Sequence, residues 1–557
     1  DDNLIDMAFA KDRVTERKRW MRDATDASRM QRLDESLAAP VRQSHHSKVD
    51  QRPIASARTF EDFVNTDLVQ FSLANLSRSI PSSVDGLKPS QRKVLHACMR
   101  KNLYGSKEIK VAQLSGFVAE VTQYHHGEGS LIDSIVKMAQ DFVGANNLPL
   151  LLPLGQFGTR ALGGADAASA RYIYTRLSPM VELLFPKADL SVLEYGMEDG
   201  VQVEPRYFAP LLPMLLVNGT AGIGTGWSTR VWPYHPLSVL DRVTECLNGL
   251  PMQPLTPWFS GFTGHISLGP EEDDGTSTHF MSCGCASLKG DKLHVTELPL
   301  GKWTEDYKAF LLEEQQRDMP RWQAFAERHT ERNVHFVLQL TAAQRHLWAE
   351  RSKFVNDDLK LRAKHSLMNM HAFDACGRLR HYRTPLEVIQ AFVPVRLAVY
   401  ERRRLSALAA LERRASLLST KARFVKFVTS GEIAISNVPR HSLVAQLELL
   451  GFEPFPPKAP SPTHTPPTSA PPTDEGDSDE LDLAAESTKA RSIEPFEYLL
   501  RMPLLALTEE QLRHLEQQRA KTATEADALH RSTPTEMYIR ELQALRPTLK
   551  EALSPAD

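Results

Sequence analysis

Two amphipathic segments near the C-terminal end constrain the fold of this chain more than any other feature. In the first, spacings of three and four residues run from Leu397 to Val425, which is typical of a long helix that packs on a partner helix. In the second, Thr508 begins a capping-box pattern, and the same spacing continues from Leu512 to Leu529. The sequence therefore predicts that the two helices form a long antiparallel coiled coil.

The stretch between these helices has a composition that disfavours a folded core. Residues 454–473 are rich in Pro, Ser and Thr, and residues 474–486 are acidic. Such segments bury too little apolar surface to offset the entropy lost on ordering. We predict a disordered insertion over residues 454–491, preceded by the first part of the stalk at 383–453 and followed by its return, with C-terminal helices, at 492–557.

The rest of the chain is too long for a single core. Its 557 residues are 42% hydrophobic and 24% charged, a composition typical of a globular protein with several domains. Residues 1–57 are predicted to be a lead-in segment with one charged helix over 4–35. Residues 58–250, with short helices and glycine-rich loops, indicate a compact α+β domain. Alternating apolar residues, as in Val334–Leu340, predict a sheet-containing domain over 251–382.

Composition also bears on the partners of the chain. No apolar stretch approaches the ~20 residues needed to cross a bilayer, so we expect no membrane partner. Cys283 and Cys285 cluster without a second Cys/His pair at metal-binding spacing, so we predict no metal site. The net charge of −3 does not by itself indicate nucleic-acid binding, but eight basic and two acidic residues lie between Ser77 and Val111.

A tyrosine in a polar, glycine-containing stretch is the main candidate for chemistry. Tyr172 follows Gly163 and Gly164 and stands directly after Arg171, on a segment too small and polar for a core strand. A phenol can attack a phosphate as it loses its proton, and a neighbouring guanidinium can stabilise the charge that grows on that phosphate. We therefore take Tyr172 as the candidate nucleophile and Arg171 as its candidate stabiliser, although an isolated tyrosine is normally a packing residue.

Basic residues ahead of this tyrosine are candidates for phosphate contact. Pro89 at a helix start, followed by Arg92 and Lys93, suits a helix-turn-helix whose basic end meets phosphates. Lys88 precedes this start, and Lys110 opens the next run. Such contacts would set the position of a nucleic acid and not a sequence preference. A merely solvated basic face is the alternative.

Two shorter runs leave their alternatives open. His125 and His126 could transfer protons or bind phosphate, although adjacent histidines are more often structural. Ile223 lies within Gly222–Gly226, which lacks the Lys-Ser/Thr of a P-loop and the glycine spacing of a dinucleotide fingerprint, so we expect no nucleotide there. Ile223 is either an apolar wedge between base steps or a buried residue in a tight turn.

Together, six runs resemble the DNA-breaking and rejoining core of eukaryotic type IIA topoisomerases in order and spacing. They are Ile80–Val94, Lys110–Leu114, Tyr124–Glu128, Gly155–Arg160, Ala170–Thr175 and Gly222–Trp227. The resemblance extends from Asp1 to about Leu553 and weakens over 33–57 and 454–491. It implies an α+β multidomain fold in which 58–250 is a winged-helix DNA-cleavage domain, 251–382 a tower domain, and the remainder chiefly a coiled coil.

The resemblance also implies roles for individual residues. Tyr172 would attack a phosphodiester of double-stranded DNA and form a 5′-phosphotyrosyl link, two such tyrosines in a homodimer making a double-strand break. Arg171 matches the family's transition-state stabiliser, and Ile223 matches its DNA-bending intercalator. The stretch Lys360–Asn369 resembles a DNA-contacting segment of the family's tower. The charges that such contact needs are present in Lys360, Arg362 and Lys364.

This chain departs from the family pattern in two respects. Ala170 stands where the family usually has Pro. The family's ATPase domain and the acidic Mg²⁺ motifs of its Toprim domain are missing, so we expect ATP and Mg²⁺ to be bound by domains absent from this chain. The resemblance implies a nuclear enzyme that passes one duplex through another. The alternatives are a non-catalytic architectural DNA-bending protein and a catalytically silent dimerisation scaffold.

Overall fold

The fold is taken from a computed structural model of the chain. It describes residues 2–38, 59–270, 277–317, 321–342, 344–346, 358–433, 438–455, 496–503 and 508–554, with only the backbone described over 27–38. The disordered insertion predicted over 454–491 lies outside these residues from position 456 onward.

Several helices begin at residues whose side chains suit a helix start, among them Thr508 and Pro89, which the sequence predicted. Thr59 accepts a hydrogen bond from the backbone N–H of Asp62 at 3.1 Å, and Thr508 accepts one from that of Gln511 at 3.3 Å. Pro89 occupies the first turn of its helix, where its missing N–H costs nothing. The helices are α1 Asp2–Phe9, α2 Val14–Ala38, α3 Phe60–Phe63, α4 Val69–Ser79, α5 Pro89–Arg100, α6 Val111–Thr122, α7 Glu128–Ala139, α8 Pro179–Leu184, α9 Met214–Asn218, α10 Pro236–Leu247, α11 Thr304–Gln315, α12 Pro385–Thr429, α13 Arg440–Leu449, α14 Glu497–Leu500, α15 Glu509–Arg531 and α16 Pro534–Leu553.

The single charged helix predicted over residues 4–35 is wrong, because a turn at residues 10–13 divides it into α1 and α2. Arg17 of α2 donates from Nε to the carbonyl oxygen of Met7 at 3.2 Å and from Nη2 to that of Ala10 at 2.5 Å. The last carbonyls of a helix have no partner within it. A basic side chain from the next helix therefore stabilises this break.

The strands are short and pair antiparallel. They are β1 Ile109–Lys110, β2 Tyr174–Thr175, β3 Tyr195–Glu198, β4 Val201–Pro205, β5 Thr220–Ile223, β6 Ser228–Val231, β7 His265–Leu268, β8 His279–Cys283, β9 Cys285–Lys289, β10 Lys292–Glu297, β11 Ala324–Glu327, β12 Phe336–Gln339, β13 Arg362–Ser366, β14 Met370–Phe373 and β15 Leu379–Tyr382. The larger sheets have the orders β11-β12-β10-β9 and β13-β8-β7. The strand predicted near residues 334–340 is found as β12, which pairs with β10.

The first compact unit comprises residues 1–401 and 534–557. In it α5, α6 and α7 pack against one another around a core that includes Val94, Leu114 and Ile135. A second core lies between α11 and the four-stranded sheet, around Tyr307 and Trp322. Helices and small sheets share this unit, which confirms the α+β fold class.

The three-stranded sheet β13-β8-β7 has one covered face and one open face. On the covered face, the Trp232 ring lies 5.1 Å from that of Phe280 and 4.7 Å from that of His365, measured between centroids. The hydroxyl of Ser282 lies 2.8 Å from Nε2 of His365. Because alternate residues of a strand point to opposite faces, the neighbours of His365 in β13 point outward.

We expect His365 to make the stability of the protein fall in mildly acidic solution. Burial, and then the Arg230 guanidinium, lower the pKa of His365 to about 4 from an ordinary 6.5. Below 6.5 the unfolded chain binds a proton that the folded chain does not bind until about 4, so the free energy of unfolding decreases across that window. Thermal melting of His365→Gln should therefore depend less on pH than melting of the wild type.

The matched control for this experiment is His265→Gln, because His265 is an exposed histidine on the same sheet. If the control and His365→Gln lose the same pH dependence, the effect does not come from the buried ring.

The second compact unit comprises residues 402–533. Within it α12 contacts α15 through a cluster that contains Leu418, Ala422, Val425 and Leu515. An ion pair of 3.0 Å between Lys426 and Glu516 accompanies this cluster. These apolar residues belong to the two predicted seams. A continuous coiled coil along both helices stays a prediction.

Candidate functional site

Tyr172 lies on a loop just before β2, and 72% of its surface is exposed. The backbone on both sides is fixed to the start of α6. Ala170 accepts a hydrogen bond from the N–H of Ala112 at 3.1 Å, and Ile173 accepts one from that of Val111 at 3.0 Å. Ile173 is buried, whereas the neighbouring phenol faces solvent. A held backbone therefore presents a reactive side chain outward.

Two glycines ahead of Tyr172 let this loop approach its supports closely. Gly163 has φ +62°, and a Cβ there would lie 2.3 Å from the Trp303 indole. Gly164 has φ +85°, and a Cβ there would lie 2.3 Å from the Gln140 amide. The positive φ strains any side chain at either position, and at Gly163 a side chain would also have to displace the rigid indole. The glycines near the tyrosine are therefore required for its placement.

One cation lies beside Tyr172, and a second lies beside Tyr174, two residues further on. The guanidinium carbon of Arg171 lies 5.9 Å from the centre of the Tyr172 ring, and both side chains are exposed. Lys110 pairs with Tyr174 in the β1–β2 ladder, and its ammonium lies 5.8 Å from the Tyr174 ring. A phosphate that approaches the Tyr172 phenol would therefore meet positive charge that is already in place.

His125 and His126 are exposed and line a cleft of about 730 Å³ between α4, α5 and the β3–β4 turn. Nδ1 of His126 lies 3.3 Å from the Arg78 guanidinium, so Arg78, which the sequence analysis did not single out, joins this site. In the described part of the chain, neither histidine has a hydrogen bond or ring contact with Tyr172. Their part in catalysis stays a prediction.

Arg92 and Lys93 have partners inside the protein. Arg92 is buried and donates to both oxygens of Asp85, at 2.7 and 3.0 Å. Lys93, also buried, donates to the carbonyl oxygen of Thr122 at 2.7 Å and pairs with Glu204 at 3.0 Å. Within the basic run between Ser77 and Val111, these two side chains therefore do not form an open basic face. Arg92 ties α5 to the loop before it, and Lys93 ties α5 to the end of α6 and to β4. Contact of either side chain with DNA stays a prediction.

Ile223 lies at the tip of the β5–β6 hairpin, and 86% of its surface is exposed. This exposure excludes the alternative of a buried isoleucine. The hairpin packs closely on α4, because a Cβ at Gly222 would lie 2.1 Å from the carbonyl oxygen of Ser79. Lys88 donates from Nζ to the carbonyl oxygen of Ala221 at 2.8 Å. Burial, followed by the charge of Lys137, lowers the pKa of Lys88.

The candidate DNA contacts in Lys360–Asn369, a stretch that the sequence predicts to belong to a tower domain, lie at and just before β13. Arg362 and Lys364 are exposed on the open face of the sheet, while His365 points to the covered face. Lys360 is also exposed, and its ammonium lies 4.3 Å from the centre of the Phe310 ring. The structure therefore places cations on the outer surface of this region.

Arg160, which lies in the segment leading to Tyr172, connects that segment to the end of β10. The sequence did not assign it a role. It forms a buried ion pair with Glu297. The second carboxylate oxygen of Glu297 accepts hydrogen bonds from the backbone and hydroxyl of Thr263, at 3.1 and 3.0 Å. The partners are 137 residues apart, so no local pattern could have indicated this contact.

One group of His, Cys, Asp or Glu side chains in the described part of the chain has the residue types that could bind a metal ion such as Mg²⁺. It brings three ligand atoms close together and consists of Glu305, Glu327 and His329. The Lys308 ammonium lies 3.1 Å from Glu327 and 3.9 Å from Glu305. Because this ammonium already pairs with both carboxylates and would repel a second cation beside them, the cluster does not fit a divalent metal ion.

Comparison with known proteins identifies the family. The family model for the A-type subunit of DNA gyrase/topoisomerase IV matches residues 78–544. The chain therefore belongs to this family of type IIA topoisomerase subunits. It is 37% identical to DNA topoisomerase 2 of Arabidopsis thaliana over 99% of the chain and 36% of that protein. It is 36% identical to the mitochondrial DNA topoisomerase 2 of Dictyostelium discoideum, over 99% of the chain and 38% of that protein.

The fold agrees with this assignment. The crystal structure of the Plasmodium falciparum topoisomerase II DNA-binding, cleavage and re-ligation domain matches with a TM-score of 0.78 and 31% identity. The match covers 99% of this chain and 70% of that one. This chain spans little more than a third of the length of the curated relatives. In its described part, none of the helices combines the length and apolar character needed to span a membrane.

Proposed function

We propose that this chain is the DNA gate of an ATP-dependent type IIA topoisomerase, which cleaves both strands of a duplex transiently, allows a second duplex to pass, and rejoins the ends. The observation that carries the proposal is the exposed Tyr172 phenol on a loop held at both ends, with Arg171 beside it. Family membership supports the same function.

The proposed reaction exchanges one phosphodiester for another. The phenolic oxygen of Tyr172 attacks the phosphorus, an O–P bond to tyrosine forms, and the bond to the 3′ oxygen breaks. The phenolic proton is lost, and the departing 3′ oxygen gains one. Arg171 offsets the negative charge that grows on the phosphate oxygens. Because the phosphotyrosyl link is itself an ester, attack by the 3′ hydroxyl reverses the step without further energy.

The finer architecture follows from the same proposal. Residues 58–250 form the winged-helix domain, 251–382 the tower, and 383–453 with 492–557 the stalk of a homodimer. Mg²⁺ and ATP are held in the whole protein by residues outside this chain. For Mg²⁺, the proposal is supported by the misfit of the convergent carboxylates in the described residues. We propose a nuclear location, although one relative is named as mitochondrial.

Covalent capture tests the proposal. The whole protein, including the residues that hold Mg²⁺ outside this chain, is incubated with Mg²⁺ and a duplex labelled at either end of one strand, and is then denatured with detergent. A DNA gate leaves protein attached to the 5′ end of the break. Binding and bending without an adduct would favour the architectural protein. Absence of binding even at low salt, where phosphate contacts are strongest, would favour the dimerisation scaffold.

We expect Ile223→Ala to reduce DNA bending more than DNA affinity. Bending a short duplex costs roughly 1–6 kcal/mol, and an apolar wedge that unstacks a base step stabilises the bent state. The cationic contacts are unchanged, so most of the affinity remains. Energy transfer between dyes on the two duplex ends measures the bend.

The control for the wedge is Leu250→Ala, which removes another exposed apolar side chain, 56% exposed, from a loop after α10. Thermal melting of both variants checks folding. An unchanged bend in folded Ile223→Ala would exclude the wedge and leave the basic stretch of the tower as the bending element.

A further inference from the structure

Trp227 closes the hairpin that carries Ile223. Its carbonyl oxygen accepts a hydrogen bond from the N–H of Gly224 at 2.8 Å. Its side chain is only 7% exposed and packs in a small core with Leu76 of α4 and Met21 of α2. The hairpin is therefore held between two helices, and α2, from the lead-in segment, is one of them.

Helix α2 places two cations over this tryptophan. The Lys18 ammonium lies 5.6 Å and the Arg22 guanidinium 5.8 Å from the centre of the Trp227 ring. The two residues are four positions apart and thus share one face of α2. Two like charges at this spacing destabilise a helix when they lack a counter-charge. Arg22 is exposed and Lys18 is half-buried, so both remain accessible to an anion.

The cations lie beside the proposed wedge. Ile223 stands directly opposite Ser228 in the β5–β6 ladder, and Trp227 is the residue next to Ser228. Opposed residues of an antiparallel pair have Cα atoms about 5 Å apart. The stacked cations therefore lie near the same step of a DNA duplex that Ile223 would enter. On the other side of the hairpin, the Lys88 ammonium is bound to the Ala221 carbonyl.

We propose that Lys18 and Arg22 form a phosphate clamp that holds the DNA backbone next to the base step opened by Ile223, with Trp227 as the positioning residue. The inference rests on the proposed DNA gate. Opening a step costs energy, and cations at the adjacent phosphates lower that cost by neutralising charge there.

The clamp is positioned before DNA binds. The indole N–H of Trp20 donates to the side chain of Asn65 at 3.0 Å, which ties α2 to the π-helical segment Val64–Leu68 that leads into α4. Arg17 ties α2 to the last turn of α1. Groups that are already ordered lose less conformational entropy on binding. This favours a specific contact over a diffuse basic surface.

The salt dependence of DNA binding tests the clamp in the intact protein. Each phosphate contact contributes about 0.9 to the slope of log affinity against log salt concentration, so Lys18→Gln with Arg22→Gln should lower that slope by about 2. The bend measured by energy transfer should decrease as well. The matched control, Lys11→Gln with Arg19→Gln, removes two charges from the same part of the chain without a tryptophan contact and should keep the wild-type slope.

Trp227→Phe tests the positioning role. An aromatic ring is kept at this position, but it is smaller than the indole and offers less surface for the cations. The slope of log affinity against log salt should therefore fall by less than in the double variant, while the melting temperature changes little. A double variant with the wild-type slope, or a control that loses as much, would overturn the clamp. A wild-type protein that neither binds nor bends the duplex would instead refute the DNA gate itself.

Discussion

Tyr172→Phe is expected to abolish covalent attachment to DNA and to leave DNA binding nearly intact. The substitution removes only the phenolic oxygen, which is the atom that bonds to phosphorus in the proposed reaction. The ring stays on a loop whose neighbours, Ala170 and Ile173, are held by backbone hydrogen bonds. Detergent-stable adduct and equilibrium binding, measured on the same duplex, separate the two effects.

Tyr174→Phe is the matched control. Tyr174 lies two residues further on, in β2, and its backbone pairs with that of Lys110 in β1. This variant should form adduct at close to the wild-type rate. Adduct that persists in Tyr172→Phe and disappears in Tyr174→Phe would move the nucleophile to Tyr174. Loss of binding together with adduct in Tyr172→Phe would indicate a structural role.

Arg171→Ala is expected to slow cleavage by ~10²-fold or more, which is the scale for losing one preorganised group that stabilises developing charge. The guanidinium stands beside the phenol and is exposed, so its removal leaves no cavity in the core and should hardly change the melting temperature. Single-turnover cleavage under saturating DNA isolates the chemical step from binding.

Arg171→Lys is the informative companion variant. It keeps the charge but loses the planar fork that binds two phosphate oxygens at once, so we expect a rate between those of alanine and arginine. A cleavage rate in Arg171→Ala equal to that of the wild type would make Arg171 a structural residue. A loss confined to binding affinity would make it a ground-state contact.

The features that could be predicted from sequence depend on neighbours along the chain. Thr59 and Thr508 cap their helices with their own side chains, and Pro89 starts α5 because its ring suits a first turn. The alternation of residues near 334–340 produced β12 as expected. Tyr172 and Arg171 are adjacent, so their pairing needed no knowledge of the fold.

The side-chain environments were decided by contacts between distant segments. Lys93 belongs to a basic run, yet it is buried against Glu204, 111 residues away. Local pattern could not separate it from a solvated lysine. Ile223 was equally compatible with core and surface, and only the packing of its hairpin on α4 exposed it.

Sequence by itself thus determined the family and several helix starts, and it supplied the candidate tyrosine and arginine, because these depend on residue type and short spacing. Tertiary structure alone decided which cations face solvent, that Arg160 joins the tyrosine loop to Glu297, and that α2 brings Lys18 over Trp227. The physical reason is that burial and charge pairing depend on all groups within a few ångströms, and here those groups come from segments more than 100 residues apart.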